Sequence, residues 1–226
     1  EILIGLVGSE MCIRDSPMRP YKTAHTEAKT ERIINRSRFI SQCFPVRSED
    51  EALSRLNEVR KQYPDATHVC YAYRIGELSE TTRFSDAGEP SGTAGMPILE
   101  VLKANELTYV LCTVTRYFGG ILLGAGGLVR AYSSGAADAV KAAGAEKHIP
   151  GALIALRCDY SRYGAIESLI SKSNAAITES EFTDEIRLSI SCAKEDADSI
   201  IKAIIERTDG RCKPELAGEC ELVLPQ

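Results

Sequence analysis

The stretch TRYFGGILLGAGGLVRAYSSGAADAV (115–140) holds six of the chain's 17 glycines and places Arg116 and Arg130 on either side of the densest run. Glycines at Gly119, Gly120, Gly124, Gly126 and Gly127 let a backbone turn tightly and present N–H groups to an anion, and a helix starting there adds the positive end of its dipole. A second stretch, SDAGEPSGTAGMPILEVL (85–102), offers Asp86 and Glu89 ahead of Gly92 and Thr93, with Thr93 placed to cap a following helix. Side by side, the two loops combine two helix N-termini with two carboxylates, a set suited to a hydroxyl-rich or phosphate-bearing partner. The same residues also make a packed corner, in which the carboxylates accept hydrogen bonds from Arg116 or from backbone N–H groups. Both readings stand at this stage.

Spacing removes the familiar phosphate motifs. Val129 stands where a dinucleotide fingerprint would place its third glycine, and Gly119 to Gly124 leads into Ala125 and Gly126 rather than Lys-Ser or Lys-Thr. No GxSxG occurs, and no Ser or Cys is paired with a histidine by spacing, so a hydrolase has little support. The three histidines, His25, His68 and His148, are far apart and no CxxC is present, so no metal and no cofactor is expected.

The elements that must hold these loops follow from period. RIINRSRFISQCFPV (32–46) reads as one strand with basic residues on one side. SEDEALSRLNEVRKQYP opens with Ser48 and Glu51 in capping-box spacing, carries Ala52, Leu53, Leu56 and Val59 at helical intervals, and closes at Pro64. HVCYAYRI predicts a strand, TAGMPILEVLKA a short helix from near Thr93, and TYVLCTVTRYF a buried strand ending at Gly119. From Leu128 to Ala143 the chain is helix-compatible. Gly135 inside that helix predicts a close approach to a sheet, and Gly144 its stop.

AEKHIPG (145–151) reads as a boundary, after which the rhythm becomes strand, helix, strand, strand, helix, strand, a ferredoxin-like βαββαβ pattern. The expected organisation is an upstream or artificially appended segment at 1–17, a first domain at 18–148 and a second at 149–226, in an α+β protein. Residues 151–226 carry 9 basic and 14 acidic side chains and account for the whole net charge of −5. Residues 18–47 carry seven basic and two acidic side chains, so Arg32, Arg36, Arg38 and Arg47 form a candidate basic edge, or simply a solvated strand. Apolar runs are too short to span a membrane, and the eight cysteines sit without framework spacing, so a reducing cytoplasm is the expected compartment.

SDAGEPSGTAGMPILEVL and VTRYFGGILLGAGGLVRAYS together, with PDATHVCYAYRIG and RSRFI upstream, resemble the signature of the YigZ/IMPACT family over residues 36–226. The resemblance implies a first domain like domain 2 of a small-subunit ribosomal protein, a fold shared with domain IV of elongation factor G and with the GHMP kinases. It implies a second, ferredoxin-like domain similar to domains III and V of elongation factor G. The segment from Asp86 through Gly95 falls on the family's acidic-Pro-Gly-Thr motif, and Thr115 to Tyr132 on its second motif. One departure is His68-Val69-Cys70, where family members commonly have His-Asn-Cys or His-His-Cys.

The family's eukaryotic relatives bind a large ribosome-associated activator of a stress kinase, partly through a further domain, and so modulate translation initiation. The resemblance therefore implies a non-enzymatic, translation-linked regulatory factor that binds RNA, the ribosome or a ribosome-associated protein, with no DNA-specific partner and no membrane. The kinase-like fold relationship leaves an alternative: an enzyme acting on a small phosphorylated or nucleotide-like substrate, with the glycine loops on the phosphates and Asp86 or Glu89 orienting a hydroxyl.

Overall fold

The run VLCTVTRY is buried on both of its faces, and in the computed structural model, which describes residues 18–225, it forms the middle strand of a five-stranded antiparallel sheet. The described chain divides into units made chiefly of Tyr21–Lys147 and His148–Leu224. The reading of 1–17 as upstream sequence lies outside the described residues.

In the first unit the elements run β1 (Tyr21–Ala24), β2 (Ala28–Ile34), β3 (Ser37–Pro45), α1 (Glu49–Gln62), β4 (His68–Ile75), β5 (Thr81–Ser85), α2 (Gly95–Ala104), β6 (Val110–Tyr117) and α3 (Gly124–Ala143). The sheet order is β2-β3-β6-β4-β5. One face, through Ile40, Phe44, Tyr73 and Leu111, packs on Ala52, Leu56 and Val59 of α1. The other, through Phe39, Cys43, Cys70, Cys112 and Val114, packs on Ile98 and Leu102 of α2 and on Tyr132 and Ala136 of α3. Alternate strand residues thus feed two separate cores, as the period of two requires. Gly135 lets α3 approach this face: a Cβ there would lie 2.5 Å from the Ser41 hydroxyl. Gly144, with φ of 67°, ends the helix.

Three local expectations are corrected. Residues 32–46 are not one strand but a hairpin, because Asn35 and Arg36 both adopt left-handed φ angles of 46° and 64° and turn β2 back onto β3 with Ile34 opposite Ser37. In α1 the Ser48 hydroxyl accepts from the Glu51 N–H at 3.2 Å, whereas the Glu51 carboxylate takes the Arg47 N–H at 2.8 Å; Leu53 faces solvent at 40% exposure. The strand expected to follow the boundary residues 145–151 begins within them instead, since β7 spans Ala145–Cys158.

The second unit continues with α4 (Tyr160–Ile170), β8 (Ala175–Phe182), β9 (Ile186–Ala193), a 3-10 turn at Lys194–Asp196, α5 (Ala197–Arg207) and β10 (Glu215–Pro225). Its sheet order β10-β7-β9-β8 places the last strand beside the first and the third between first and second, the ferredoxin-like arrangement. Ile154, Leu156, Ile186, Leu188 and Ile190 pack under Ile166 and Ile170 of α4 and Ile200 and Ile204 of α5. Among the described residues no helix is long and apolar enough to cross a membrane.

Candidate functional site

The acidic loop between β5 and α2 is organised by Asp86. Its carboxylate accepts from the backbone N–H groups of Gly92 (2.9 Å), Ala94 (2.9 Å) and Gly95 (2.8 Å), so it caps α2 from upstream. Burial pushes the Asp86 pKa up, but these three amides together outweigh that and hold the carboxyl below its ordinary value. The expected cap, Thr93, has a different role. Its hydroxyl donates to the Pro90 carbonyl at 2.6 Å, and Ala94 at the cap position offers no side-chain hydrogen bond.

Glu89 ties this loop to the glycine stretch from inside. Its side chain is 3% exposed, and one carboxylate oxygen accepts from Arg116 Nη1 at 2.6 Å and from the Tyr132 hydroxyl at 2.8 Å. Arg116 is itself buried, lies over the rings of Phe39 (5.5 Å) and Phe118 (5.4 Å), and reaches the Ser37 hydroxyl with Nη2 at 3.4 Å. The Ser37 hydroxyl also accepts the Gly119 N–H at 3.2 Å, so the base of the glycine loop is pinned to the same cluster. Burial raises the Tyr132 phenol well above its ordinary pKa, Cys70 and the Glu89 carboxylate adding to the effect, which keeps the phenol a donor.

His68 borders this cluster. Its Nδ1 lies 2.9 Å from the Ala87 carbonyl, which can only accept, so the proton sits there and Nε2 faces Glu89 at 3.9 Å. The valine that replaces the family's polar residue after His68 sits in β4, half-buried against the α1 side of the sheet. Cys70 donates to the Asp86 carbonyl at 3.0 Å, and burial pushes its thiol up to about 12, so it is no nucleophile at neutral pH.

The glycine loop presents a different surface. Gly119 sits where a Cβ would meet the Arg36 carbonyl at 2.1 Å, a contact only glycine permits. Beyond it, Gly120 and Gly124 adopt left-handed φ angles of 82° and 69° with open space around them, and α3 begins at Gly124. No side chain caps that start, and its first turn holds no acid. Arg130, one turn further on, is exposed and makes no ion pair among the described residues. An open depression of about 490 Å³ lies between the β2–β3 turn and this helix, lined by Ile34, Asn35, Leu123, Gly127, Arg130 and Ser134 and free of carboxylates.

The two arginines of the glycine stretch are therefore in opposite situations, and the basic edge is similarly divided. Arg32 makes a paired contact with Asp138 of α3, and Arg38 a bidentate one with Glu31 at 2.8 and 2.9 Å. Arg36 and Arg47 are exposed without an ion pair among the described residues. The sequence reading left out Ser37 and Tyr132 as site residues. Tyr132 was accessible from the helical spacing Leu128, Ala131, Tyr132, Gly135, which places it on the sheet-facing side; nothing local marks Ser37.

This scaffold, a helix-covered antiparallel sheet followed by a ferredoxin-like unit, agrees with comparison to known proteins. The chain matches the Impact N-terminal domain over residues 35–140 and a domain of unknown function, DUF1949, over 156–211. It is 34% identical over 194 residues to the Bacillus subtilis protein named IMPACT family member YvyE, covering 86% of this chain and 89% of that one. A protein named Protein IMPACT homolog from Dictyostelium discoideum is 39% identical over 95 residues, which are 39% of this chain and 26% of its own length. A crystal structure of a hypothetical protein superposes with a TM-score of 0.58 at 28% identity, covering 89% of this chain and 98% of its own. The chain belongs to the IMPACT family.

Proposed function

We propose that this protein is a non-enzymatic regulatory factor that acts on translation in the cytoplasm by binding RNA, the ribosome or a ribosome-associated protein. The observation that carries the reading is the division of its polar groups. Asp86, Glu89 and Arg116, the side chains a phosphate-transferring enzyme would need, are turned inward onto Gly92, Ala94, Gly95 and Tyr132 or onto each other. Arg36, Arg130 and the uncapped start of α3 face outward. A surface of this kind supports binding, whereas the alternative, an enzyme acting on a small phosphorylated or nucleotide-like substrate, needs Asp86 or Glu89 free to meet a hydroxyl.

The test is co-sedimentation of the purified chain with ribosomes from its own cells at low salt, alongside purified ribosomal RNA. The expected result is binding that weakens as salt rises and weakens further when Arg36 and Arg130 are both changed to Gln, with a shallower salt dependence. Absence of the chain from ribosome, RNA and ribosome-associated fractions at every salt concentration sinks the proposal.

A further inference from the structure

We infer that the glycine loop and the start of α3 form a docking surface for a protein segment that carries apolar side chains flanked by carboxylates. The inference rests on the binding reading above and selects one partner class within it. Four large apolar side chains stand exposed here: Phe118 at 45%, Ile121 at 41%, Leu122 at 85% and Val129 at 38%. Phe118, Ile121 and Leu122 lie within a single loop between β6 and α3 whose base is fixed at Gly119 by the Ser37 hydroxyl, so they are displayed from an anchored support. Isolated exposed apolar residues are ordinary, but three within five positions on an anchored loop, continuing into a helix, make a patch of the sort that marks protein contacts.

Charge identifies what covers it. Arg130 lines the adjoining depression and Arg36 abuts the loop base, its carbonyl lying where a Gly119 Cβ would be. Both lack an ion-pair partner among the described residues, and no acid lines the depression or the first turn of α3. The nearest other basic residues of the hairpin, Arg32 and Arg38, are already neutralised by Asp138 and Glu31. Two unpaired arginines beside exposed aliphatic side chains complement one or two carboxylates next to an apolar anchor. They are too few to follow a phosphate backbone in a chain of net charge −5. An aromatic platform for unstacked bases would need more than the single ring of Phe118, which is itself held against Arg116.

The experiment pans a displayed library of random 12-residue peptides on the full chain and measures affinities of the enriched peptides by fluorescence anisotropy. A 20-nucleotide single-stranded RNA is titrated in parallel, and sedimentation velocity is run on the chain alone. Two variants are compared with the parent, Ile121→Ser with Leu122→Ser, and Arg130→Glu. The expected result is a consensus of an aliphatic or aromatic residue beside Asp or Glu, with affinity lowered at least about tenfold by each variant, as loss of an anchor or of a charge partner does. RNA affinity should be unchanged by the apolar pair. Three results overturn the inference: no enriched peptide, enrichment of a basic consensus, or peptides indifferent to both variants. If RNA binding is what the apolar pair abolishes, the surface is an RNA site and the broader binding proposal survives without this inference. If the parent self-associates and Ile121→Ser with Leu122→Ser makes it monomeric, the occupant is a second copy and the inference fails. Failure of ribosome co-sedimentation with peptide binding intact would instead separate the docking surface from translation.

Discussion

Helices α2 and α3 start beside the same buried cluster and treat their first amides in opposite ways. At α2 the Asp86 carboxylate occupies three N–H groups, those of Gly92, Ala94 and Gly95. At α3 no side chain caps the start and three exposed glycine or alanine positions, Gly124, Ala125 and Gly126, leave the first turn open. The same helix-end electrostatics is thus satisfied from within at one loop and left to the outside at the other. Two similar-looking motifs in the sequence, each with glycines ahead of a helix, have become one internal brace and one exposed surface. The difference lies in whether an acid stands upstream at the right reach, which Asp86 does for α2 and nothing does for α3.

The largest test of this contrast uses the two arginines that flank the glycine run. Arg116→Gln removes the cation from a pair that is buried on both sides and leaves the Glu89 carboxylate, among the described residues, with Tyr132 as its donor, so unfolding in urea should show a loss of about 3–5 kcal/mol. Arg130→Gln, at an exposed position, should change stability by no more than about 0.5 kcal/mol. Equal effects would break the comparison, since they would mean that the buried pair carries nothing or that Arg130 has a structural partner.

Asp86→Ala comes next. It removes three charge-assisted hydrogen bonds and should cost about 2–3 kcal/mol, less than their sum because water reaches the partly exposed loop. The pH dependence has a definite sign. Because the folded-state pKa of Asp86 is depressed, its contribution is complete above the carboxyl's ordinary value of 3.8 and is lost as pH falls through the lower folded value. Denaturation followed between pH 6 and pH 2 should therefore show a steeper acid loss in the parent than in the alanine variant, and the two curves should converge at the acid end. Parallel curves would mean that the amides are not held by the ionised carboxylate.

Much of the architecture was legible in the sequence because it depends on repeated, local signals. The change from a glycine-punctuated rhythm to βαββαβ after Gly144 reads directly as a ferredoxin-like unit, and Gly135 marks the close helix-to-sheet approach. The β2–β3 hairpin escaped because its turn residues, Asn35 and Arg36, include no glycine, and the polar run from Asn35 to Arg38 reads equally as the basic side of a single solvated strand. The site was legible in its membership but not in its orientation. Glu89 and Arg116 could be named as charged residues in two loops, and their pairing stood as one of two readings. Only the register that sets His68 opposite Arg116 and brings β4 beside β6 decides that both face the interior. The Asp86 cap was hidden for a related reason: its acceptors lie six to nine residues downstream, outside the capping-box spacing that identifies Ser48 and Glu51.

The smallest expected change sharpens the comparison most, because it separates glycines that the fold needs from those kept for another purpose. At Gly119 an added methyl would collide with the Arg36 carbonyl, which is backbone and cannot swing away, so that glycine is explained by packing alone. Gly126 has no such neighbour. Its nearest contact for an added Cβ is the Arg130 guanidinium at 3.7 Å, the end of a flexible side chain, and the residue sits in the first turn of α3 with ordinary backbone angles. Alanine there should raise stability by about 0.5–1 kcal/mol, since it restricts the unfolded chain and favours the helix. If the open face of α3 is a binding surface, the same methyl stands between the first-turn amides and whatever approaches them, so Gly126→Ala should bind ribosomes or the selected peptides more weakly while melting at a higher temperature. A variant that is more stable and binds as well as the parent would show that close approach at this turn is not used, and would leave the exposed apolar loop and Arg130 as the only part of the surface still in contention.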